Sequence, residues 1–187
     1  LWQIGGKGVF IKTLEKALLN DAIDIAVHSL KDVTSELPEN LCLAAFLEPE
    51  SCADVLVLKE GKQLSDLKEG AKIGTSSLRR KALLKRDYGH LSPVDIRGNV
   101  KTRIDQVLSG DLDGVILSEA GLIRLGLEAH ISHRFDPDVF LPAPGQGVIA
   151  VECHEDNELA MSCCAKLTDA KQHLISESEL LFLKTVG

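Results

Sequence analysis

Ile73-Gly74-Thr75-Ser76-Ser77-Leu78-Arg79-Arg80 is where the sequence changes period: a short apolar segment ends at Gly74, three hydroxyl residues follow, and a helical pattern continues to Asp87. Side-chain oxygens at Thr75, Ser76 and Ser77 suit the cap of a helix, so the stretch reads as a strand handing over to a helix. The two arginines are misplaced for helix stability alone. Cations in a first turn oppose the macrodipole and cost about 0.3–1 kcal/mol each. A bound anion reverses that sign, because free N–H groups, hydroxyls and two guanidiniums then converge on one negative group. The segment reads as a site for carboxylate or phosphate.

The same design recurs downstream. Arg97-Gly98-Asn99-Val100-Lys101-Thr102-Arg103 follows another apolar run, with Asn99 as the cap and Arg97 and Arg103 flanking the first turn. Gly121 and Arg124 follow the next run, where Arg124 reads either as a third cationic corner or as a surface residue. Between residues 72 and 103 there are nine Lys or Arg against two Asp, a local net of +7 in a chain of net −7, which leaves −14 on the remainder. Lys81, Lys85 and Arg86 read equally well as a solvated helix face. Nucleic acid is a poor partner for this basic centre, because Tyr88 is the only aromatic within it and the overall charge repels a polyanion.

Outward from this centre, strands and helices alternate. Phe10, Leu14, Ala17 and Leu18 recur at helical spacing after Gly5, Gly6 and Gly8, and an apolar run over 23–27 reads as a short buried strand. Strands are predicted over 43–46, 55–58, up to 74, around 94–96, over 115–117 and over 148–153. Helices are predicted over 77–87, from 99, over 119–125, over 157–167 and over 176–186. The breaks at Glu48-Pro49-Glu50-Ser51 and Pro142-Ala143-Pro144-Gly145 suggest that the chain leaves one domain and returns to it. Alternation at this spacing implies a mostly parallel sheet with helices on both faces, and ligands at the carboxyl ends of its strands. There lies His28-Ser29-Leu30-Lys31-Asp32. His28 reads as a satisfied core residue or as support for the site. Lys31 and Asp32 are either a surface pair or a cation and a carboxylate facing a ligand. Among cations, such a carboxylate would stay ionised, fit to stabilise a positive intermediate or relay a proton.

The 187 residues are 44% hydrophobic and 26% charged, which excludes wholesale disorder. No run approaches the ~18–20 apolar residues of a spanning helix, and no secretion signal is visible, so a cytoplasmic protein is expected. Cys42, Cys52, Cys153, Cys163 and Cys164 are odd in number and form no Cys-x-x-Cys pair, so they read as reduced thiols. Cys153-His154 with Cys163 and Cys164 lacks zinc-like spacing, so no metal is expected. The glycines at 5, 6 and 8 do not close a Walker loop. A start at Leu1 and an end at Gly187 straight after a helical pattern read as two cuts.

Five segments carry a resemblance: Gly5-Gly6-Lys7-Gly8-Val9-Phe10, His28-Ser29-Leu30-Lys31-Asp32-Val33, Gly74 to Arg80, Arg97 to Arg103, and Pro142-Ala143-Pro144-Gly145-Gln146-Gly147. In this order they resemble the porphobilinogen deaminase (hydroxymethylbilane synthase) family across nearly the whole chain. The resemblance implies an α/β fold: two periplasmic-binding-protein-like (type II) domains with mixed, mostly parallel sheets and a cleft between them, plus the start of a third α+β domain. The corresponding segments are 1–48 and 147–168 for domain 1, 53–141 for domain 2, and 170–187 for the opening of domain 3. It also implies a monomeric transferase of tetrapyrrole (haem) biosynthesis. That enzyme condenses four porphobilinogen molecules head to tail, with release of ammonia, on a dipyrromethane primer held by a cysteine thioether.

Position by position, the resemblance makes Asp32 the catalytic carboxylate, stabilising the cationic azafulvene left when ammonia departs. Ser29, Lys31, Thr75, Ser76, Ser77, Arg79, Arg80 and Gln146 would hold the cofactor. Phe10, Arg97, Arg103, Arg124 and Gly121 would bind substrate and the growing chain, which gains carboxylates at every cycle. The family's cofactor cysteine follows a Gly-Gly pair beyond the final helix, so attachment is expected past Gly187 and at none of the five cysteines. An N-terminal strand and helix bearing an active-site Arg and Ser would precede Leu1. A chain truly ending at Gly187 is expected to be inactive. Val33-Thr34 stands where the family has a Pro, and Glu50-Ser51-Cys52-Ala53-Asp54 where it has a more basic Asp-Pro-Arg-Asp segment. The other reading is a non-catalytic anion-binding module, or a degenerate deaminase, on the same fold.

Overall fold

The computed structural model describes residues 7–34 and 36–186, with side chains over 11–34 and 36–185. The elements along the chain are α1 (Lys7–Leu19), β1 (Ala26–Ser29), β2 (Leu41–Phe46), β3 (Asp54–Leu58), β4 (Lys72–Gly74), α2 (Leu78–Asp87), β5 (Ser92–Val94) and α3 (Val100–Ser109). They continue with β6 (Gly114–Ser118), α4 (Glu119–Arg124), β7 (Ile131–Arg134), β8 (Ile149–His154), α5 (Glu158–Ala165) and α6 (Ala170–Val186). Two compact units result, one from Leu1–Glu50 with Pro144–Gly187 and the other from Ser51–Ala143. No helix among the described residues is long and apolar enough to cross a membrane.

The second unit is a five-stranded sheet of order β5-β4-β6-β3-β7. All five residues of β3 are buried, and their alternation divides the core. Leu56 and Leu58 face one layer with Leu83 and Leu84 of α2 and with Phe135 and Phe140, while Val55 and Val57 face the other with Ile104 and Val107 of α3 and Leu122 of α4. Helices therefore cover both faces, as the apolar runs predict. Side chains of Ser77, Asn99 and Asn157 accept from the backbone N–H groups of Arg80, Thr102 and Ala160, so the caps fix where α2, α3 and α5 begin.

The first unit carries a three-stranded sheet of order β1-β8-β2, antiparallel throughout. Phe46, Val148 and Ala150 pack beneath Leu30, and α6 reaches β2 through Leu180 at the edge of this cluster.

Five details differ from the sequence reading. Parallel pairing is confined to β4 with β5 and β6, whereas β3 pairs antiparallel with both neighbours, because β3 enters the sheet straight from the other unit rather than through a helical crossover. The strand expected over 23–27 runs over 26–29 and is half-exposed, with Val27 at 59%, since only one of its faces meets the core. The strand expected around 94–96 ends at Val94, and α6 begins six residues before the predicted start at 176. The edge strand β7 was hidden in Ile131-Ser132-His133-Arg134, a segment with no apolar run.

Candidate functional site

In the second unit, the strand-to-helix handover at 74–80 surrounds a buried carboxylate. Asp54 opens β3 at 0% exposure. Its Oδ1 accepts from Arg80 Nη2 at 2.6 Å and Nε at 3.1 Å, and its Oδ2 faces Arg79 Nη1 at 2.7 Å. Burial alone would raise the Asp54 pKa, but the two guanidiniums outweigh it and hold the carboxyl below its ordinary value. Arg80 also donates from Nη1 to the Ile116 carbonyl at 3.0 Å, and Arg79 from Nη1 to that of Leu141 at 2.5 Å.

The hydroxyls are engaged as well. Ser77 Oγ accepts from the Arg80 N–H at 3.4 Å, Thr75 Oγ1 from the Ser77 N–H at 3.2 Å, and Ser76 Oγ ties to the backbone of Ile96. These hydroxyls thus form the frame of the loop.

Positive charge is left over. Arg103 lies near enough to Arg80 that burial first, and the Arg80 charge second, lower its pKa, and its Nε donates to the Gly98 carbonyl at 2.8 Å. Gly98 holds φ +104°, and a Cβ there would lie 2.9 Å from Thr102 Cγ2, so the approach of Arg103 to this carbonyl depends on glycine. Against the three guanidiniums of Arg79, Arg80 and Arg103, Asp54 supplies one negative charge. Arg79 Nε is buried with no hydrogen-bond partner among the described residues. A surplus of two positive charges with an orphaned N–H fits a ligand carrying carboxylates. Arg97 is exposed beside Gly98; Arg124 is the exposed last residue of α4, which also contains Gly121.

In the first unit, Ser29 ends β1 and Leu30–Asp32 form a 3-10 turn. Lys31 Nζ donates to Oε1 of the buried Gln146 at 3.2 Å, and the Leu30 N–H reaches the Val148 carbonyl at 3.0 Å. Gly145, at φ +71°, fits directly against this turn: a Cβ would stand 2.7 Å from Leu30 Cγ and 3.0 Å from the Lys31 nitrogen. The return segment thus brings Gln146 to Lys31, in the turn that also holds Asp32. Phe10 lies on α1, and its side chain is outside the described residues.

Two buried carboxylates lie outside the sequence expectations. By sequence Asp54 falls in a linker, although an acid at the head of the apolar run 55–58 is a signal, since a buried carboxylate demands a partner. Glu152, at 0% exposure within β8, gives the same signal and pairs with His28.

The family model described as porphobilinogen deaminase, dipyromethane cofactor binding domain, matches residues 1–162. A porphobilinogen deaminase of Syntrophomonas wolfei is 48% identical over 187 residues, covering 100% of this chain and 61% of that protein. One from Clostridium perfringens is 48% identical over 186 residues, covering 99% of this chain and 63% of its own. The chain thus spans less than two thirds of these relatives' lengths. Among solved structures, an ABC transporter periplasmic substrate-binding protein from Coxiella burnetii shares the fold, with TM-score 0.53 at 17% identity over 89% of this chain and 79% of that one.

Proposed function

The chain belongs to the porphobilinogen deaminase family, and from that premise we propose that the complete protein joins four porphobilinogen molecules head to tail into hydroxymethylbilane, releasing ammonia at each step. The observation that carries this reading is the uncompensated positive charge of Arg79, Arg80 and Arg103 around Asp54, together with the orphaned Arg79 Nε. Porphobilinogen bears an acetate and a propionate, so every unit added brings two more carboxylates for such a surface to hold.

When bound, a dipyrromethane cofactor supplies the pyrrole carbon onto which the first substrate is joined. Arg79 and the first N–H groups of α2 would hold its carboxylates. Thr75, Ser76 and Ser77 shape that loop and Arg80 supplies charge from within; Ser29, Lys31 and Gln146 are assigned to the cofactor by the family resemblance. Arg97, Arg103, Arg124 and Gly121, with Phe10, would receive substrate and the lengthening product. Asp32 has the role of catalytic carboxylate: it accepts hydrogen bonds from pyrrole N–H groups and stabilises the cation formed as ammonia leaves. The thioether is assigned to a cysteine beyond Gly187, because none of the five cysteines here occupies the family's position.

In the same reading, 1–48 with 147–168, and 53–141, are two domains, residues 170–187 open a third, and the protein is a cytoplasmic monomer. The test is the intact mass of the complete protein combined with porphobilinogen consumption. A covalent excess equal to a dipyrromethane, with turnover, is expected. An unmodified and inactive complete protein would overturn the proposal.

A further inference from the structure

Beside the Ser29–Asp32 turn the first unit buries a cluster of titratable side chains that the proposed chemistry does not use. His28, 6% exposed, donates from Nε2 to Glu152 Oε2 at 2.8 Å, and Glu152 is fully buried. Its other oxygen, Oε1, has no hydrogen-bond partner among the described residues. Glu15 of α1, 7% exposed, has its carboxyl pushed up by burial first and by Glu152 second, with His28 and Lys12 acting in the opposite direction. The charge of Glu152 also reaches the Cys42 thiol on β2 and the Cys153 thiol on β8.

Stability alone is a weak reason for this arrangement. Withdrawing such groups from water is costly, and well-packed apolar residues in their place are often neutral or stabilising. What the pair does supply is direction. His28 faces Ala150 and Ser29 faces Ile149 in the β1–β8 ladder, while Glu152 lies opposite Ala26. The imidazole–carboxylate bond therefore runs diagonally across the two strands and ties the last turn-facing part of β1 to the central strand. One residue later the chain leaves the sheet and enters the 3-10 turn. Gly145 limits that turn from the other side through its contact distances to Leu30 and Lys31.

We propose that His28 is a positioning residue, whose bond to Glu152 fixes the end of β1 and hence the direction in which Ser29, Lys31 and Asp32 leave it. The inference rests on the reading of Asp32 as the catalytic carboxylate. Removing His28 alone would strand a buried Glu152 carboxylate, so the informative variant of the complete protein is the double replacement His28→Leu with Glu152→Leu, set beside His28→Gln. Glutamine keeps an N–H donor for Glu152.

The double variant is expected to fold and to lose kcat by about tenfold or more with KM within about threefold, and His28→Gln to recover kcat to within about threefold of wild type. Amide exchange over 31–33 should accelerate about tenfold in the double variant and stay near wild type in His28→Gln. A purely structural pair would change unfolding without this kcat-selective loss and rescue. Wild-type kcat in the folded double variant, or unchanged exchange over 31–33, overturns the positioning role. If the double variant fails to fold, His28→Gln beside His28→Leu decides: a tenfold kcat loss with faster exchange over 31–33 in His28→Leu alone supports the role, and equal kcat in the two variants overturns it. The Asp32 reading is tested apart, by Asp32→Asn in the same assay. An active Asp32→Asn removes that reading whatever the exchange data show.

Discussion

Arg80 reaches Asp54 with two nitrogens, Nε at 3.1 Å and Nη2 at 2.6 Å, on a single carboxylate oxygen at the head of β3. The pair explains how two arginines sit in the first turn of α2, where the helix dipole opposes them. One positive charge is neutralised from inside the sheet, and the surplus charge of Arg79 and Arg103 is not balanced by Asp54. A strand that is otherwise apolar thus sets the electrostatics of a loop 20 residues further along.

Asp54→Asn should therefore be among the most damaging single changes in the second unit. It leaves two guanidiniums in place without their counter-charge, and a loss of about 3–5 kcal/mol is expected in urea unfolding. Because the Asp54 pKa is lowered in the folded state, its contribution is fully present above the ordinary value of 3.8 and is lost as pH falls through the lower folded value. The gap between wild type and Asp54→Asn should narrow below pH 3.8. A gap independent of pH would contradict the ion-pair explanation.

Arg103 should behave in the opposite way. Its lowered pKa means that folding penalises its charge, and that penalty is fully present at neutral pH. Arg103→Met is expected to leave the second unit as stable as wild type or more so, while weakening use of a carboxylated substrate by about tenfold or more. Thermal unfolding and kcat/KM on the complete protein measure the two effects. A destabilised variant with unchanged kcat/KM would show that Arg103 is there for the fold.

The thiols should separate by environment. Burial pushes the Cys153 thiol up to about 12, with Cys42, Cys164 and Glu152 adding to it, and burial likewise raises Cys164. Cys52 and Cys163 are exposed. Iodoacetamide at pH 8, mapped by peptide mass, should label Cys52 and Cys163 in the native protein and reach Cys153 and Cys164 only after unfolding. Native labelling of Cys153 at the rate of Cys52 would refute the packing described for β8.

The strand–helix alternation was legible because local chemistry marks it: Ser77, Asn99 and Asn157 cap helices where such residues should, the runs at 43–46, 55–58 and 115–117 lie within strands, and that at 148–153 overlaps β8. Strand direction was not legible, because it depends on how the chain crosses between units rather than on any residue in β3. Ile23 and Ile25 misled for a different reason. An apolar run at a sheet edge need not be buried, and Ile25 is 46% exposed. At the site, the sequence marked Arg79 and Arg80 as an unusual pair, yet the partner that distinguishes their roles lies 26 residues from Arg80 and appears only in three dimensions. Gln146 is a candidate through the resemblance alone and Lys31 also through its place after the 23–27 run, and their contact across 115 positions is a product of the return segment.

That return segment offers a stability test of its own. Gly145→Ala forces a Cβ into backbone with φ +71° and to 2.7 Å from Leu30 Cγ. A cost of about 1–3 kcal/mol in urea unfolding is expected. An unaffected midpoint would mean that Leu30–Asp32 is not held by this contact.

The most direct measurement is porphobilinogen consumption by the complete protein, wild type beside Asp32→Asn, with circular dichroism and intact mass confirming that both are folded and carry the same covalent cofactor. Wild type should release ammonia and hydroxymethylbilane, and Asp32→Asn should fall by about 10²–10⁴-fold. An inactive wild type, or an Asp32→Asn protein that turns over at nearly the wild-type rate, would contradict the assignment.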